Sequence, residues 1–394
     1  MIGEQKKHFV FKRYEEPPTN HTLYRGYLDR VFLVSRDLTG VNATWLGLSS
    51  ALGQSEADPA KGAGYMRALN AISALKTTGA EIEDAGDISP PIVKLGVTAG
   101  NKVVNLFEQS LNGKSENKDF GEVKNLDKIV SYSKVVIKKI KEILHSGRKV
   151  INVGGDHSIA FPTIAAALEH FKGDLGVIWI DAHADINIPK YKGRGSLSGN
   201  AHGMPVAHLI GLEGVNPELA GFVSEANRLN PANIIYIGLK DLDLEEVEHL
   251  DALGITYFSA ENSTTAQLTE ICQEIDKLQS RVDYMWCSID LDALDQTVAP
   301  GVCMKNKGGL SYGMITALTQ YIGVTTNLVG MDIAEFAPKF DDKDDKTAKL
   351  ILELIARLLG GSKKRWDETA YLEKPVLAES PRKKLQRRKR VGGG

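Results

Sequence analysis

The sequence predicts an α/β domain in which helices cover both faces of a parallel β-sheet. Three observations lead to this prediction. Short apolar segments of strand length recur along the chain from Ala43 onward. Segments with apolar residues at helical spacing lie between them. Strands and helices that alternate in this way form βαβ units, whose strands run parallel in one sheet.

The predicted elements follow this pattern along the chain. The first is a strand over 43–49, followed by a glycine-containing loop over 53–64 and a helix over 65–75. Five further apolar segments are predicted as strands: 149–153, 176–180, 233–238, 284–289 and 327–333. Segments with helical spacing are predicted as helices over 127–146, 160–171, 244–253, 265–278, 312–321 and 347–359. Gly147 is expected to end the first of these helices as its C-cap.

Composition divides the chain into three parts. Residues 1–42 are polar and aromatic without a regular period, and they are predicted to form an N-terminal extension. Residues 43–362 carry the alternating strands and helices and are predicted to form one domain. Residues 363–394 lose this order and end in a basic segment, 381–394, which predicts a C-terminal tail with a disordered end. A solvated tail is the favoured interpretation of the basic segment, and nucleic acid binding is the alternative.

Charge and cysteine content exclude several classes of protein. The net charge of −2 gives the molecule no general attraction to nucleic acid or to a membrane. Three cysteines in 394 residues cannot form a disulfide framework, which indicates a reducing compartment. Residues 1–14 lack the apolar core of a signal peptide, and no run of about 18 apolar residues is present. We therefore expect a cytoplasmic protein without a membrane partner.

Acidic residues and histidines follow directly after three of the predicted strands. They are His157, Asp181, His183, Asp185, Asp290 and Asp292. Ligands of open α/β sheets bind at the carboxyl ends of the strands, and residues two apart on an extended segment point to the same side. These side chains can therefore converge. Four carboxylates and two imidazoles would repel one another or stay protonated unless cations neutralised them, so the pattern predicts two divalent metal ions.

The donor types restrict the metal and its chemistry. Imidazole and carboxylate without thiolate suit manganese, iron, nickel or zinc. Two ions about 3.5 Å apart can share a water and lower its pKa, which supplies hydroxide at neutral pH. Such a nucleophile is what the resonance-stabilised carbon of a guanidinium group requires. Taken singly, each motif has a structural explanation: a capped turn around His157, or an Asx turn or helix N-cap at Asp290. Their joint occurrence behind three strands favours the metal site.

These motifs, in this order, resemble those of the arginase, agmatinase and formimidoylglutamase superfamily, over about residues 43–360. The resemblance implies one three-layer α/β/α domain with a mainly parallel sheet, assembled as a homo-trimer or homo-hexamer. It implies a hydrolase that releases urea from a small guanidino substrate with two divalent metal ions. Mn²⁺ is the first expectation for these ions and Ni²⁺ the second.

The resemblance also implies a role for each motif residue. One ion would be held by His157, Asp181, Asp185 and Asp290. The other would be held by Asp181, His183, Asp290 and Asp292, so that Asp181 and Asp290 bridge the pair. Asp185 would in addition contact the nucleophile.

Two further residues match catalytic positions of the superfamily. His202, in the motif 198–203, matches a histidine that transfers a proton, and imidazole has the pKa that suits proton transfer to a departing amine. Glu335, in the motif 332–336, matches a glutamate that pairs with the substrate guanidinium, because a carboxylate accepts two parallel hydrogen bonds from that group. Outside these motifs, His202 would be read as a turn histidine and Glu335 as a surface acid.

The substrate is predicted from a second set of residues. Asn187, Ser198 and Asn200 resemble the arginase contacts to an α-carboxylate, and Asp243 and Glu246 resemble its contacts to an α-ammonium. This favours hydrolysis of arginine to ornithine and urea. The structural alternative for the two acids is that they stabilise the first turn of the helix that follows them.

Three departures from the arginase pattern keep other substrates open. Met304 stands where arginases have a threonine, Gln296 follows Asp295 where the family usually has proline, and the extension 1–42 is long. Free guanidine is the main alternative substrate, and agmatine is another. A third hypothesis is a catalytically silent subunit that senses amino acids or supports assembly. The presence of all six expected ligands argues against it.

Overall fold

The computed structural model describes residues 38–90, 122–262 and 264–360. Most of the predicted N-terminal extension and the whole predicted C-terminal tail lie outside these residues, so the predicted boundaries of 1–42, 43–362 and 363–394 stay predictions. In the described ranges, no helix combines the length and apolar character needed to cross a membrane.

The strands form one eight-stranded sheet in which neighbouring strands pair in parallel. They are β1 (Asn42–Leu48), β2 (Glu81–Ile88), β3 (Lys149–Val153), β4 (Leu175–Ile180), β5 (Ile234–Leu239), β6 (Thr256–Ser259), β7 (Tyr284–Asp290) and β8 (Leu328–Ala334). Their order across the sheet is β2-β1-β3-β8-β7-β4-β5-β6. The four central strands are therefore β3, β8, β7 and β4, and their carboxyl ends lie side by side.

Helices connect these strands. They are α1 (Gly62–Ala68), α2 (Ala71–Lys76), α3 (Leu126–His145), α4 (Ala160–His170), α5 (Pro205–Ile210), α6 (Pro217–Ala220), α7 (Leu244–Leu253), α8 (Thr265–Gln279), α9 (Tyr312–Thr325) and α10 (Lys346–Leu358). Local sequence sets several of their ends. The Thr264 hydroxyl accepts the backbone N–H of Gln267 at the start of α8, and Ser311 caps α9 in the same way.

The helices form a layer on each face of the sheet. Alternate strand residues point to opposite faces, so Trp286 of β7 packs into one hydrophobic core and Cys287 into the other. One core is covered by α3 to α7, and the other by α1, α2, α8, α9 and α10. This division follows from right-handed crossovers. Helices α3 to α7 connect strands as the chain moves across the sheet from β2 to β6, whereas α1, α2, α8 and α9 connect strands in the opposite direction. The predicted three-layer α/β/α fold is thereby confirmed.

The edges of the sheet differ from the prediction. Strands β2 and β6 were not predicted, and the expected helix over 65–75 is divided into α1 and α2 at Asn70, which has a positive φ of 58°. Both additional strands lie at a sheet edge, and one of their twelve residues, Ile82, is buried. Strand β2 carries four acidic residues, which keep an edge strand from pairing with other chains, and β6 has only four residues. Neither strand therefore has the apolar segment that marks a central strand.

Stability below neutral pH is expected to depend on His208, which is buried on α5. Its Nδ1 donates to the carbonyl of Met204 (2.8 Å) and its Nε2 accepts the backbone N–H of Asn216 (3.2 Å), so the ring is neutral in the fold. Burial lowers the pKa of His208 to about 4. Between this value and the ordinary pKa near 6.5, the unfolded chain binds a proton that the folded chain does not, so the free energy of unfolding decreases as the pH falls.

The expected contribution of His208 is a loss of about 3 kcal/mol between pH 7 and pH 4. Urea unfolding of the wild type and of His208→Gln at several pH values measures it, because the variant lacks the titrating ring. The difference in unfolding free energy between the two proteins should shrink by that amount as the pH falls. A difference that does not change with pH would contradict the assignment.

Candidate metal centre and substrate cavity

The predicted metal ligands lie at the carboxyl edge of the four central strands. Asp181 directly follows β4, and Asp290 is the last residue of β7. His157 follows β3 after a short turn, and Glu335 directly follows β8. Because these four strands are neighbours and run parallel, their ends deliver the side chains to one place, although the chain separates His157 from Glu335 by 178 positions.

A glycine pair shapes the turn that presents His157. Gly154 and Gly155 have φ values of +94° and +83°, in the left-handed region that favours glycine. A Cβ atom on Gly154 would lie 2.6 Å from the backbone nitrogen of Ala63, and one on Gly155 would lie 2.6 Å from the carbonyl of Leu48. The absence of side chains therefore lets this turn pass between α1 and the end of β1.

The first cluster surrounds one nitrogen of His157. Its Nδ1 lies 2.9 Å from Asp181 Oδ2, 3.1 Å from Asp185 Oδ2 and 3.4 Å from Asp290 Oδ2. All four side chains are buried. Asp185 has a φ of 49°, a strained conformation for a residue with a side chain, and such strain often occurs at functional sites. The cluster offers one imidazole and three carboxylates within reach of a single cation.

The second cluster forms around His183. Its Nδ1 lies 3.4 Å from Asp181 Oδ1 and 3.4 Å from Asp292 Oδ2. Asp181 thus directs one carboxylate oxygen to each cluster, as a bridging ligand would. Asp290 contacts the first cluster through Oδ2, while its Oδ1 accepts the backbone N–H of Asp292 (2.8 Å), so its bridging role stays a prediction.

The donor chemistry of the two clusters fits divalent cations. The ring orientation of His157 is fixed by a contact of 2.9 Å between Nε2 and Ser288 Oγ, which leaves Nδ1 to the carboxylates. Asp292 Oδ1 is a buried carboxylate oxygen without a hydrogen-bond partner in the described part of the chain. The groups His157, Asp181 and Asp185, and likewise Asp181, His183 and Asp292, have donor atoms within 4.8 Å of one another. Imidazole and carboxylate donors in this arrangement suit manganese, nickel, iron or zinc.

The pKa values of these groups show the same need for positive charge. Burial alone would lower the pKa of His183, but the carboxylates of Asp181 and Asp292 raise it to about 12. Burial and the nearby charge of Asp181 raise the pKa of Asp185 to about 6. The carboxylates therefore keep the neighbouring imidazoles of His157 and His183 protonated at neutral pH. Divalent cations would supply that positive charge instead.

Two positioning residues of the centre were missed by the sequence analysis. Trp179 donates from Nε1 to Asp181 Oδ2 (3.0 Å), and its ring stacks on His157 with centroids 4.3 Å apart. Ser288 contacts the same histidine from β7. Each lies two positions before a predicted ligand, Asp181 or Asp290, on the same strand segment. The period of two that grouped the ligands could have identified both residues.

A cavity of about 270 Å³ lies above the two clusters. Every residue predicted for catalysis or substrate binding lines it: Asp185, Asn187, Ser198, Asn200, His202, Asp243, Glu246 and Glu335. The metal ligands His183, Asp290 and Asp292 line it as well, while His157 and Asp181 lie fully buried. Met304 and Gln54 are two further lining residues.

Glu335 and His202 lie together at this cavity. Glu335 accepts the side-chain amide of Gln54 (2.7 Å) at Oε2 and the backbone N–H of His157 (2.9 Å) at Oε1. Its φ is 62°, again a strained value. Burial and the neighbouring charge of Asp290 raise the pKa of Glu335 well above its usual range. His202 Nδ1 lies 3.8 Å from Glu335 Oε1, so an imidazole stands beside the carboxylate near the metal clusters.

The acidic pair near α7 serves the helix and lines the cavity at once. Asp243 and Glu246 form a capping box at the start of α7, in which Glu246 accepts the backbone N–H of Asp243 (3.1 Å). Asn187 donates from Nδ2 to Asp243 Oδ2 (3.2 Å). Burial, with the charge of Asp185, raises the pKa of Glu246 to about 8. The two acids therefore stabilise the first turn of α7, as the structural alternative predicted, and they also line the cavity.

Comparisons with known proteins point to one family. The Arginase family profile matches residues 53–360. The arginase of Plasmodium berghei is 31% identical over 332 residues, which cover 80% of this chain and 92% of that protein. The solved arginase of Bacillus caldovelox aligns with a TM-score of 0.68 and 28% identity over 81% of this chain and 98% of that one.

A second solved relative is the arginase of Entamoeba histolytica in complex with L-ornithine. It aligns with a TM-score of 0.67 and 26% identity, covering 80% of this chain and 97% of that one. The sequence match, the shared fold and the donor clusters lead to one conclusion: this chain belongs to the arginase family and is a metal-dependent ureohydrolase.

Proposed function

We propose that this protein hydrolyses L-arginine to L-ornithine and urea with two divalent metal ions. The observation that carries the proposal is the distribution of acids in the cavity. Glu335 lines the cavity next to His157, and Asp243 and Glu246 line it from the start of α7. Arginine carries a positive charge at each end, a guanidinium and an α-ammonium, which two such acidic regions can recognise. The complex of the Entamoeba histolytica relative with L-ornithine supports this substrate class.

The metal ions would be held by the two clusters described above. His157, Asp181, Asp185 and Asp290 are proposed to hold one ion, and Asp181, His183, Asp290 and Asp292 the other. Mn²⁺ is the ion that we propose, with Ni²⁺ as the alternative. When bound, such a pair activates water as a nucleophile at neutral pH.

The chain's own residues orient the guanidinium group and protonate its leaving nitrogen. Glu335 would accept hydrogen bonds from the guanidinium, held for this by Gln54 and by the backbone of His157. His202, 3.8 Å from Glu335, would deliver a proton to the departing amine. Asp185 would orient the attacking water from the first cluster. All three roles are proposals that rest on the proximity of these groups in one cavity.

Other residues that line the cavity would bind the amino acid head group. Asp243 and Glu246 are proposed to bind the α-ammonium. Asn187, Ser198 and Asn200 are proposed to bind the α-carboxylate through neutral hydrogen-bonding groups. Asn187 and Asp243 are hydrogen-bonded neighbours, and the two charged groups of an amino acid share one α-carbon, so this proximity supports the proposal.

Free guanidine is the second candidate substrate. Met304 favours it, because this thioether lines the cavity at 49% exposure where arginases have a threonine. Guanidine would use Glu335 and the metal clusters but not the acidic pair at α7. A screen of urea release from arginine, agmatine, guanidinobutyrate and guanidine, with Mn²⁺ or Ni²⁺ supplied, separates the candidates. Ornithine and urea from arginine support the proposal, whereas urea from guanidine alone overturns it.

Binding of the α-ammonium is tested by Asp243→Asn. Asparagine caps a helix about as well as aspartate, so α7 should stay intact. The loss of one charge-assisted contact is expected to raise KM for arginine about 10- to 100-fold. 5-Guanidinopentanoate, which is arginine without the α-ammonium group, provides the matched comparison. An unchanged KM for arginine, with helix content and thermal midpoint also unchanged, would leave Asp243 with a capping role only.

Assembly and location are separate proposals. We propose a homo-trimer or homo-hexamer in the cytoplasm, with no nucleic acid or membrane partner. Light scattering of the purified protein measures the size of the assembly.

A further inference from the structure

Lys124 contacts the cavity wall from outside the set of predicted site residues. Its backbone N–H donates to the carbonyl of Gly199 (2.8 Å), and its Nζ donates to Asn200 Oδ1 (3.1 Å). The two segments lie close together, since a Cβ atom on Gly199 would lie 2.7 Å from the carbonyl of Glu122. The preceding residue, Val123, is buried in the core, which anchors Lys124 next to the loop 198–200.

An α-carboxylate in this cavity meets an electrostatic problem. Asp241, Asp243 and Glu246 line the cavity, and none of its described lining residues is a lysine or arginine. These negatively charged side chains repel the α-carboxylate of a bound substrate, and partial burial strengthens the repulsion. The neutral groups of Asn187, Ser198 and Asn200 offer hydrogen bonds but no positive charge. A nearby cation would offset the repulsion.

Lys124 also determines how Asn200 is oriented. A lysine ammonium can only donate hydrogen bonds, so the atom that it contacts must be the amide oxygen of Asn200. The amide nitrogen of Asn200 is then the group left to donate to a ligand. Asn200 lines the cavity. In this orientation it offers a hydrogen-bond donor to the ligand, and a carboxylate needs a donor.

We propose that Lys124 is a positioning residue that makes the cavity selective for substrates with an α-carboxylate. It orients the Asn200 amide and adds a positive charge behind it. This inference rests on the proposed hydrolysis of arginine. The side chain of Lys124 is exposed, so solvent screening limits the effect to about tenfold in affinity.

The test compares ligands that differ in the carboxylate alone. L-Ornithine carries it, and 1,4-diaminobutane does not. The inhibition constants of both ligands, together with kcat and KM for arginine, are measured on the metal-loaded wild type, Lys124→Met, Lys124→Arg and Lys192→Met. Lys192 is the control, since it is an exposed lysine whose Nζ pairs with Glu213 (3.1 Å) and which does not line the cavity.

The expected result is a selective loss of carboxylate recognition in Lys124→Met. KM for arginine and the inhibition constant of ornithine rise about tenfold, kcat changes less than KM, and the preference for ornithine over diaminobutane falls about tenfold. Lys124→Arg restores most of this preference, because arginine also only donates. Lys192→Met keeps the wild-type preference.

Two outcomes overturn the inference in different ways. Equal weakening of ornithine and diaminobutane by Lys124→Met would show that Lys124 only supports the loop. An unchanged preference for ornithine would show that it has no role in recognition. Failure of the proposed function is distinguishable, since it appears in the wild type as an absence of urea release from arginine. In that case, calorimetric titration of the wild type and of Lys124→Met with ornithine and diaminobutane still tests the role of Lys124. A wild type that binds neither ligand would overturn the inference.

Discussion

Asp181→Asn is expected to reduce urea release on the order of 10³-fold or more and to lower the bound metal below two ions per chain. Asp181 directs Oδ2 to the cluster around His157 and Oδ1 to the cluster around His183. An amide of the same shape offers one neutral oxygen, so at least one ion loses a charged ligand. Activation of water by a metal pair contributes several kcal/mol to catalysis, and this contribution depends on both ions.

The control for this change is Asp241→Asn, measured in the same way. Its carboxylate lies 4.0 Å from His183 Nε2 but is 82% exposed, so the substitution removes a negative charge beside the second cluster without removing a predicted metal ligand. Elemental analysis of both purified variants after dialysis gives the number of ions per chain. Two retained ions in Asp181→Asn would mean that Asp181 is not a shared ligand. A loss of metal in Asp241→Asn as well would mean that the total charge alone sets occupancy.

His202→Ala is expected to lower kcat for arginine about 10²- to 10⁴-fold and to leave the metal content at two ions per chain. The imidazole lies 3.8 Å from Glu335 and lines the cavity, but it is not part of either donor cluster. Proton delivery to a departing amine is a step that water performs poorly. Metal binding should not depend on it.

Chemical rescue gives this prediction a specific readout. Added imidazole is expected to restore part of the activity of His202→Ala if the lost function is proton transfer. His145→Ala is the matched control. His145 is the last residue of α3 and lies near the amino end of β3, whereas the metal clusters lie at the carboxyl ends of the strands. An active His202→Ala protein, or one whose low activity comes with lost metal, would contradict the proton-transfer role.

The fold could be predicted from the sequence where burial dictates it. Central strands such as β4 and β7 are buried along nearly their whole length and appear in the sequence as continuous apolar segments. Strand β2 has four acidic residues and one buried residue, so its pairing with β1 leaves little hydrophobic signal. The break between α1 and α2 depends on the backbone of Asn70, which asparagine tolerates but does not require.

The site could be predicted in outline, because strand ends and a period of two place its carboxylates and imidazoles together. The same period of two, applied to the residues two positions before Asp181 and Asp290, would have identified Trp179 and Ser288. The assignment of each carboxylate oxygen to a cluster depends on side-chain torsions, which spacing does not determine. The contact between Lys124 and Asn200 joins residues 76 positions apart through two loops and leaves no local pattern. If arginine is the substrate, nothing in the structure explains the methionine at position 304.

The most direct test of this account is metal analysis of the purified protein combined with urea release from arginine. Mn²⁺-loaded protein should hold two ions per chain, lose activity as a chelator removes them, and regain it when Mn²⁺ is returned. Fewer than one bound ion per chain, or urea release that continues after the ions are removed, would contradict a two-metal hydrolase.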